Sequence, residues 1–259
     1  DIDFRVSTFP SLFGEKVVIR ILDREKGVKT LEELGMSADH LKVVREMVEK
    51  PYGLILLTGP TGSGKTTTLY AMIKELDREA NNVVSLEDPI EYNIEGMNQS
   101  QVRPEIGYDF ANGLRAILRQ DPDIIMVGEI RDKETAAMAI HAALTGHLVL
   151  STLHTNNAAG VVPRLIDMGV DPYLIAPTLL MVIGQRLVKK LCPESRKEVL
   201  LEGAFKEITQ KELKDMPDEA RKKITSFDKV YEGVSSPTCP MGRKGRMGIF
   251  EVLYKTPAL

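Results

Sequence analysis

Cysteine is scarce in this chain, two in 259 residues, and that removes the disulfide-scaffold class of small secreted domains. No leader segment is visible at Asp1-Ile2-Asp3-Phe4-Arg5, so the scarcity points to a reducing cytosol. No apolar run approaches the ~20 residues that span a bilayer; the longest nearly apolar stretch, Leu174 to Ile183, falls far short. Charge of one sign is also missing. A formal net charge of −3, without basic and aromatic residues interleaved, gives no reason to expect nucleic acid or an anionic membrane as the main ligand. Internal repeats and low-complexity segments are absent. So is an initiator Met, and the chain is expected to be a piece of a longer protein. What is present, 43% hydrophobic and 27% charged residues, is ordinary for a soluble protein with one large or two smaller cores.

Against that background one octapeptide stands out. Gly59-Pro60-Thr61-Gly62-Ser63-Gly64-Lys65-Thr66 fits the phosphate-loop pattern G-x-x-x-x-G-K-[ST]. It directly follows the apolar run Leu54-Ile55-Leu56-Leu57 and precedes a helix-like stretch, and Thr67 just behind it is counted among the nucleotide-binding residues. The glycines permit backbone conformations that aim successive N–H groups at phosphate oxygens. The helix behind them adds free N–H groups and the positive end of its dipole. Lys65 is expected on the β- and γ-phosphates and Thr66 on Mg²⁺, with a nucleoside triphosphate as the ligand.

Around this loop the chain reads as α/β. Apolar strands are predicted at Leu54–Leu57, Val83–Leu86, Ile124–Val127 and His147–Thr152, separated by helices at roughly Lys65–Glu79, Phe110–Arg119 and Asp132–Leu144. Strands without polar alternation, separated by helices, indicate a parallel sheet covered on both faces. Thr30 with Glu33 has capping-box spacing, and Ala38 to Lys50 has helical periodicity ended by Pro51. Tyr173 to Leu191 suits a long amphipathic helix that starts or kinks at Pro177, and residues 194–230 read as an exposed helical appendage. At the other end, Lys16 to Leu22 reads as a buried strand after a turn at Ser11 to Gly14, followed by the charged linker Asp23-Arg24-Glu25-Lys26-Gly27. The domain reading is therefore 1–22 as the tail of an N-terminal domain, 23–30 as linker, 31–190 as the nucleotide-binding core and 191–259 as a C-terminal appendage.

Phosphoryl transfer to water needs an acid that orients the water, a metal ligand and cations for the transferring group. Two acid clusters follow apolar strands: Glu87-Asp88-Pro89-Ile90-Glu91, and Gly128-Glu129-Ile130-Arg131-Asp132. The second has the form of a Walker B segment ending in Glu rather than Asp. A third polar strand end, Thr152-Leu153-His154-Thr155, falls where a γ-phosphate sensor belongs.

Together these stretches resemble the secretion ATPase superfamily of type II secretion and type IV pili, on its assembly-motor (GspE/PilB) side. The resemblance rests on Gly59–Tyr70 (Walker A), Ser85–Tyr92 (Asp box), Gln120–Asp132 (Walker B) and Thr145–Thr155 (His box). It is extended by Arg164–Gly169, Gly184–Cys192, Arg5–Pro10, Gly14–Arg20 and Gly245–Val252. It implies a RecA-like P-loop NTPase core with a helical C-terminal subdomain, working as a homo-hexamer with ATP bound between domains. The partner it implies is an inner-membrane platform protein, with the motor cytoplasmic and peripheral to that membrane. By the same likeness Glu87 activates water and Glu129 acts through Mg²⁺, with the reverse assignment open. His154 touches the γ-phosphate, His147 is structural, Arg5 and Arg20 reach toward nucleotide, and Arg131 and Arg119 make phosphate or subunit contacts. Pilus assembly and type II secretion stay unseparated, with a lean to the pilus. A non-hydrolysing nucleotide-gated scaffold and a nucleic-acid translocase on the same core are the alternatives.

The chain departs from the family at its tetracysteine zinc site. The matching positions read Cys192-Pro193-Glu194-Ser195 and Ser236-Pro237-Thr238-Cys239, and all four histidines lie before residue 155. Two thiolates cannot make a four-ligand structural site. The expectation is no zinc, with Cys192 and Cys239 as reduced thiols close together.

Overall fold

The computed structural model describes residues 2–23, 29–214, 216, 218–222 and 229–256. Their elements run, in chain order, β1 (Ile2–Ser11), β2 (Gly14–Asp23), α1 (Ala38–Val48), β3 (Gly53–Thr58), α2 (Lys65–Glu75), β4 (Val83–Glu87) and β5 (Asn98–Gln101). They continue with α3 (Phe110–Ile117), β6 (Ile124–Val127), α4 (Lys133–Leu144), β7 (Leu148–Leu153), α5 (Val161–Asp167), α6 (Pro172–Thr178) and β8 (Leu179–Leu191). The last are β9 (Arg196–Leu200), α7 (Gly203–Lys214), α8 (Asp218–Lys222), β10 (Lys229–Gly233) and β11 (Arg243–Tyr254).

Seven strands form one sheet in the order β11-β8-β3-β7-β6-β4-β5. Every pair from β8 through β5 is parallel. Alternate residues of the apolar strands serve opposite faces, because strand side chains have a period of two. Leu54, Leu56, Leu86, Val127 and Val149 pack with α3, α4, α5 and α6. Ile55, Leu57, Val83, Met126, Leu150 and Ile183 pack with α1 and α2. That double coverage is why these strands read as unbroken hydrophobic runs. The four strands predicted around the phosphate loop are all present to within a residue at each end. Thr30 and Glu33 exchange the expected reciprocal bonds, though around a turn rather than a helix.

Four expectations are corrected. Tyr173 to Leu191 is not one long helix: α6 ends at Thr178 and the chain continues as the 13-residue β8. Backbone partners decide this, since Leu179 to Gly184 pair with β3. β2 is not buried: β1 and β2 form a two-stranded ribbon whose described apolar side chains, Phe4, Val6, Phe9, Val17, Val18, Ile19 and Ile21, are each more than half exposed. A lone ribbon has no second layer to pack against. The predicted turn at Ser11 to Gly14 does close it, with the Ser11 hydroxyl donating to the Gly14 carbonyl. Of the predicted linker, residues 24–28 lie outside the described residues.

The other two corrections concern the C-terminal part. The chain divides into one unit of residues 1–187 with 248–259 and a second of residues 188–247. The second unit is an insertion, because β11 returns to the main sheet. It is mixed rather than helical: β9 and β10 pair antiparallel and α7 and α8 lie between them in sequence. The Arg196 guanidinium sits 4.5 Å over the Tyr231 ring, and Lys229 pairs with Glu198 at 2.7 Å. Cys192 and Cys239 are not free thiols but a disulfide, Cα atoms 6.7 Å apart. The Cys192 N–H donates to Gly242 and the Gly242 N–H to Cys239, so one turn brings both together.

Candidate phosphate-binding site

β3 is buried along its whole length and delivers the chain to Gly59. There φ is +141°, and a Cβ would lie 2.3 Å from the Gln185 carbonyl oxygen, so no other residue fits. The loop turns again at Gly64, which caps α2 in a left-handed conformation at φ +87°. α2 therefore begins at Lys65 with first-turn N–H groups that have no acceptor within the helix. Within the loop Pro60, Thr61 and Gly62 are exposed, whereas Thr66 and Thr67 are half-buried. Lys65 is 8% exposed and its Nζ donates to the carbonyls of Gly59 at 2.9 Å and Pro60 at 3.3 Å. Burial pushes the Lys65 amine below its usual range, and the negative charge of Glu129 opposes that shift. Among the described residues the buried Ser63 hydroxyl has no hydrogen-bond partner. That buried hydroxyl, the caged lysine and the first-turn helix N–H groups form a donor set that fits phosphate oxygens.

The parallel register brings the other strand ends to this loop. Thr58 is level with Leu153, so His154 emerges beside Gly59; Val127 is level with Ser151, so Glu129 emerges one strand further. Glu129 accepts from Arg131 at 2.5 Å and lies 3.4 Å from His154 Nε2. Its side chain is 13% exposed, against 64% for Arg131 and 47% for His154. The ends are tied laterally. The Thr155 N–H donates to the Thr58 hydroxyl at 2.8 Å, and the Thr152 hydroxyl to Gly128 at 2.8 Å. His147 lies at the start of β7 instead, its Nδ1 3.0 Å from the Ala142 carbonyl.

Glu87 is placed differently from the expectation of a group that touches water. It is 1% exposed. Its carboxylate accepts from the Tyr70 hydroxyl, from Ser85 at 2.7 Å and from Gln99 at 3.0 Å. β4 lies three strands from β3, about 14 Å laterally at ~4.8 Å per spacing. Burial, then the bond to Glu87, pushes the Tyr70 hydroxyl well above its usual range. In the same cluster Asp88 and Glu91 are the exposed carboxylates. Arg5 and Arg20 are register partners across the β1–β2 ribbon, and their side chains lie outside the described residues. Arg119 is exposed at the end of α3.

Sequence reasoning gave no role to Gln185, Thr58 or Tyr70, each of which holds part of this site. Gln185 and Tyr70 fall inside stretches that resemble the family, and that was the only signal for them.

The family described as "Type II/IV secretion system protein" matches residues 1–259. The type II secretion system ATPase E of Vibrio cholerae is 49% identical over 263 residues, 100% of this chain and 49% of that protein. The type IV pilus assembly ATPase PilB of Myxococcus xanthus is 47% identical over 257 residues, 98% of this chain and 44% of that protein. The chain thus spans about half the length of these curated relatives. Among solved structures, that of the pilus retraction motor PilT with bound ADP is 36% identical with a TM-score of 0.62, covering 73% of this chain and 57% of that one. The sheet and its phosphate loop are the RecA-like P-loop ATPase fold.

Proposed function

The chain belongs to the type II/IV secretion system protein family, and from that premise we propose that it is the ATP-hydrolysing core of a motor for type IV pilus assembly or type II secretion. The motor works as a homo-hexamer in the cytoplasm, peripheral to the inner membrane, against a platform protein. One observation carries the reading: a caged Lys65 in the phosphate loop lies within the field of Glu129, which Arg131 and His154 flank.

Lys65 leaves the loop carbonyls for the β- and γ-phosphates, exchanging two neutral acceptors for anionic ones. His154 and Arg131 supply donors where charge develops on the transferring group. Thr66 and Glu129 would hold Mg²⁺, directly or through bound water, and the ion supplies charge neutralisation on the phosphates. Among the described residues no group of three or more His, Cys, Asp or Glu is gathered for a metal. Mg²⁺ needs only one or two protein oxygens when phosphates complete its shell. Water orientation falls to Glu129 or to an exposed carboxylate of the β4 end, Glu91 or Asp88. Glu87, enclosed by its three donors, anchors that end.

The test is steady-state ATP hydrolysis with Mg²⁺ across a wide protein-concentration range. Specific activity should rise with concentration, as a site completed between subunits demands, and vanish in Lys65→Ala. Tight ATP binding without turnover at any concentration would replace the motor with a nucleotide-gated scaffold.

A further inference from the structure

The phosphate loop does not hold its shape alone. Gln185 on β8 is 3% exposed and grips it from both sides. Its Nε2 donates to the Ser63 carbonyl at 2.8 Å, and its Oε1 accepts from the Thr68 hydroxyl, one helical turn into α2, at 2.9 Å. Leu187, two residues on and hence on the same strand face, approaches the position a Gly64 Cβ would take to 3.6 Å. The Gln185 backbone carbonyl closes on Gly59. Three parts of the loop thus rest on one short length of β8.

We propose that Gln185 is a positioning residue for nucleotide, setting the direction of the loop's N–H groups rather than touching phosphate itself. A trans peptide unit points its C=O and N–H in opposite directions. Pinning the Ser63 carbonyl toward β8 aims the Gly64 N–H the opposite way, into the loop's concavity where the anion belongs. Gly64 has no Cβ to restrict that peptide plane, so the unit would swing if the carbonyl were released. The Thr68 hydroxyl fixes which end of the amide faces Ser63: it donates to the oxygen, leaving the NH₂ for the carbonyl. The same hydroxyl also lies 3.3 Å from the Gly64 carbonyl, so the clamp spans both sides of the loop's last turn. The proposal rests on the nucleotide-binding reading above and adds the group that pre-forms the site.

Three variants test it. Gln185→Met keeps the length and removes both bonds. Gln185→Glu turns a carboxylate oxygen toward the Ser63 carbonyl. Thr68→Val releases the amide from the α2 side without altering β8. Hydrogen exchange at residues 62–66 in the nucleotide-free chain should rise in all three. The ADP dissociation constant and the KM for ATP should rise about tenfold in Gln185→Met and more in Gln185→Glu. Single-turnover kcat at saturating ATP should stay near parental, which separates positioning from chemistry. Thr68→Val should weaken ADP binding less, and combining it with Gln185→Met should add little, since both act through one amide. Should Gln185→Met fail to fold, Thr68→Val carries the test. Parental ADP affinity in both Gln185→Glu and Thr68→Val overturns the proposal. If the parent chain itself binds no ADP, the nucleotide reading fails, and loop exchange still decides whether Gln185 is the clamp: unchanged exchange in Gln185→Met sinks it.

Discussion

Glu87 closes β4, and Glu129 stands two residues beyond the adjacent β6; both follow short buried runs in one parallel sheet. Their surroundings diverge completely. Glu87 is enclosed by Tyr70, Ser85 and Gln99, none of them charged. Glu129 is open at one edge, paired with Arg131 and His154, and within the electrostatic reach of Lys65. An acid at the end of an apolar strand is therefore two different devices. Facing neutral donors in the interior it fastens α2 and β5 to β4. Facing cations at the rim it can meet a phosphate, a metal or a water.

Exchange of the two side chains should separate those devices. Glu129→Gln keeps shape and hydrogen bonding but removes the charge, and turnover should fall about 100-fold or more while the melting temperature holds. Parental turnover in that variant would remove Glu129 from the chemistry. Glu87→Leu should behave in the opposite way. It leaves the Tyr70 and Ser85 hydroxyls and one Gln99 N–H buried without an acceptor, and each unpaired group costs about 1–3 kcal/mol. With some relaxation, urea unfolding should show a loss of about 2–4 kcal/mol. Turnover per folded molecule should stay within about threefold of the parent. If Glu87→Leu unfolds at the parental urea concentration yet loses turnover, Glu87 is chemical after all and the two acids are not different devices.

How far this contrast could be read beforehand depends on which faces the strands present. β3, β4, β6 and β7 were legible because continuous apolar runs bounded by Gly, Asp and Asn leave little alternative once their lengths rule out helices. β8 was not. The run Leu179 to Ile183 is short, apolar and preceded by the Pro-containing helix α6, and periodicity alone cannot tell such a run from a buried helix. Its pairing with β3 is non-local information. The consequences spread, because Gln185 acquires meaning only when Met181, Ile183 and Gln185 are known to face α2, as the packing of Met181 and Ile183 shows. The same rule explains Glu87. Val83, Ser85 and Glu87 share the face turned to α2, where Tyr70 waits 17 residues away in sequence. The phosphate loop needed none of this, since its glycines and lysine are contiguous. Cys192 and Cys239 do lie close together as expected, across 47 residues of sequence, and only their state as a disulfide departs from the expectation.

The smallest effect is the most selective. Burial holds Lys65 below its ordinary value, and the negative charge of Glu129 opposes that shift. For the fold, the sign follows from proton counting. Between the lowered folded pKa and the unfolded one, the unfolded chain binds more protons, so stability rises with pH across that alkaline window. For nucleotide the sign reverses. Phosphate favours charged Lys65 and raises its pKa in the complex, so affinity is full below the free-chain pKa and falls as pH rises through it, with protons taken up on binding. Calorimetry of ADP binding in buffers of different ionisation enthalpy reads that uptake directly. In Glu129→Gln the opposing charge is gone, Lys65 falls further, and the decline in affinity should begin at lower pH than in the parent. In Glu87→Leu the onset should not move, because Glu87 spends its charge on Tyr70, Ser85 and Gln99 and does not act on Lys65. Equal displacement in the two variants would mean that both acids act on the lysine, and the division between a buried fastener and a rim acid would have to be abandoned.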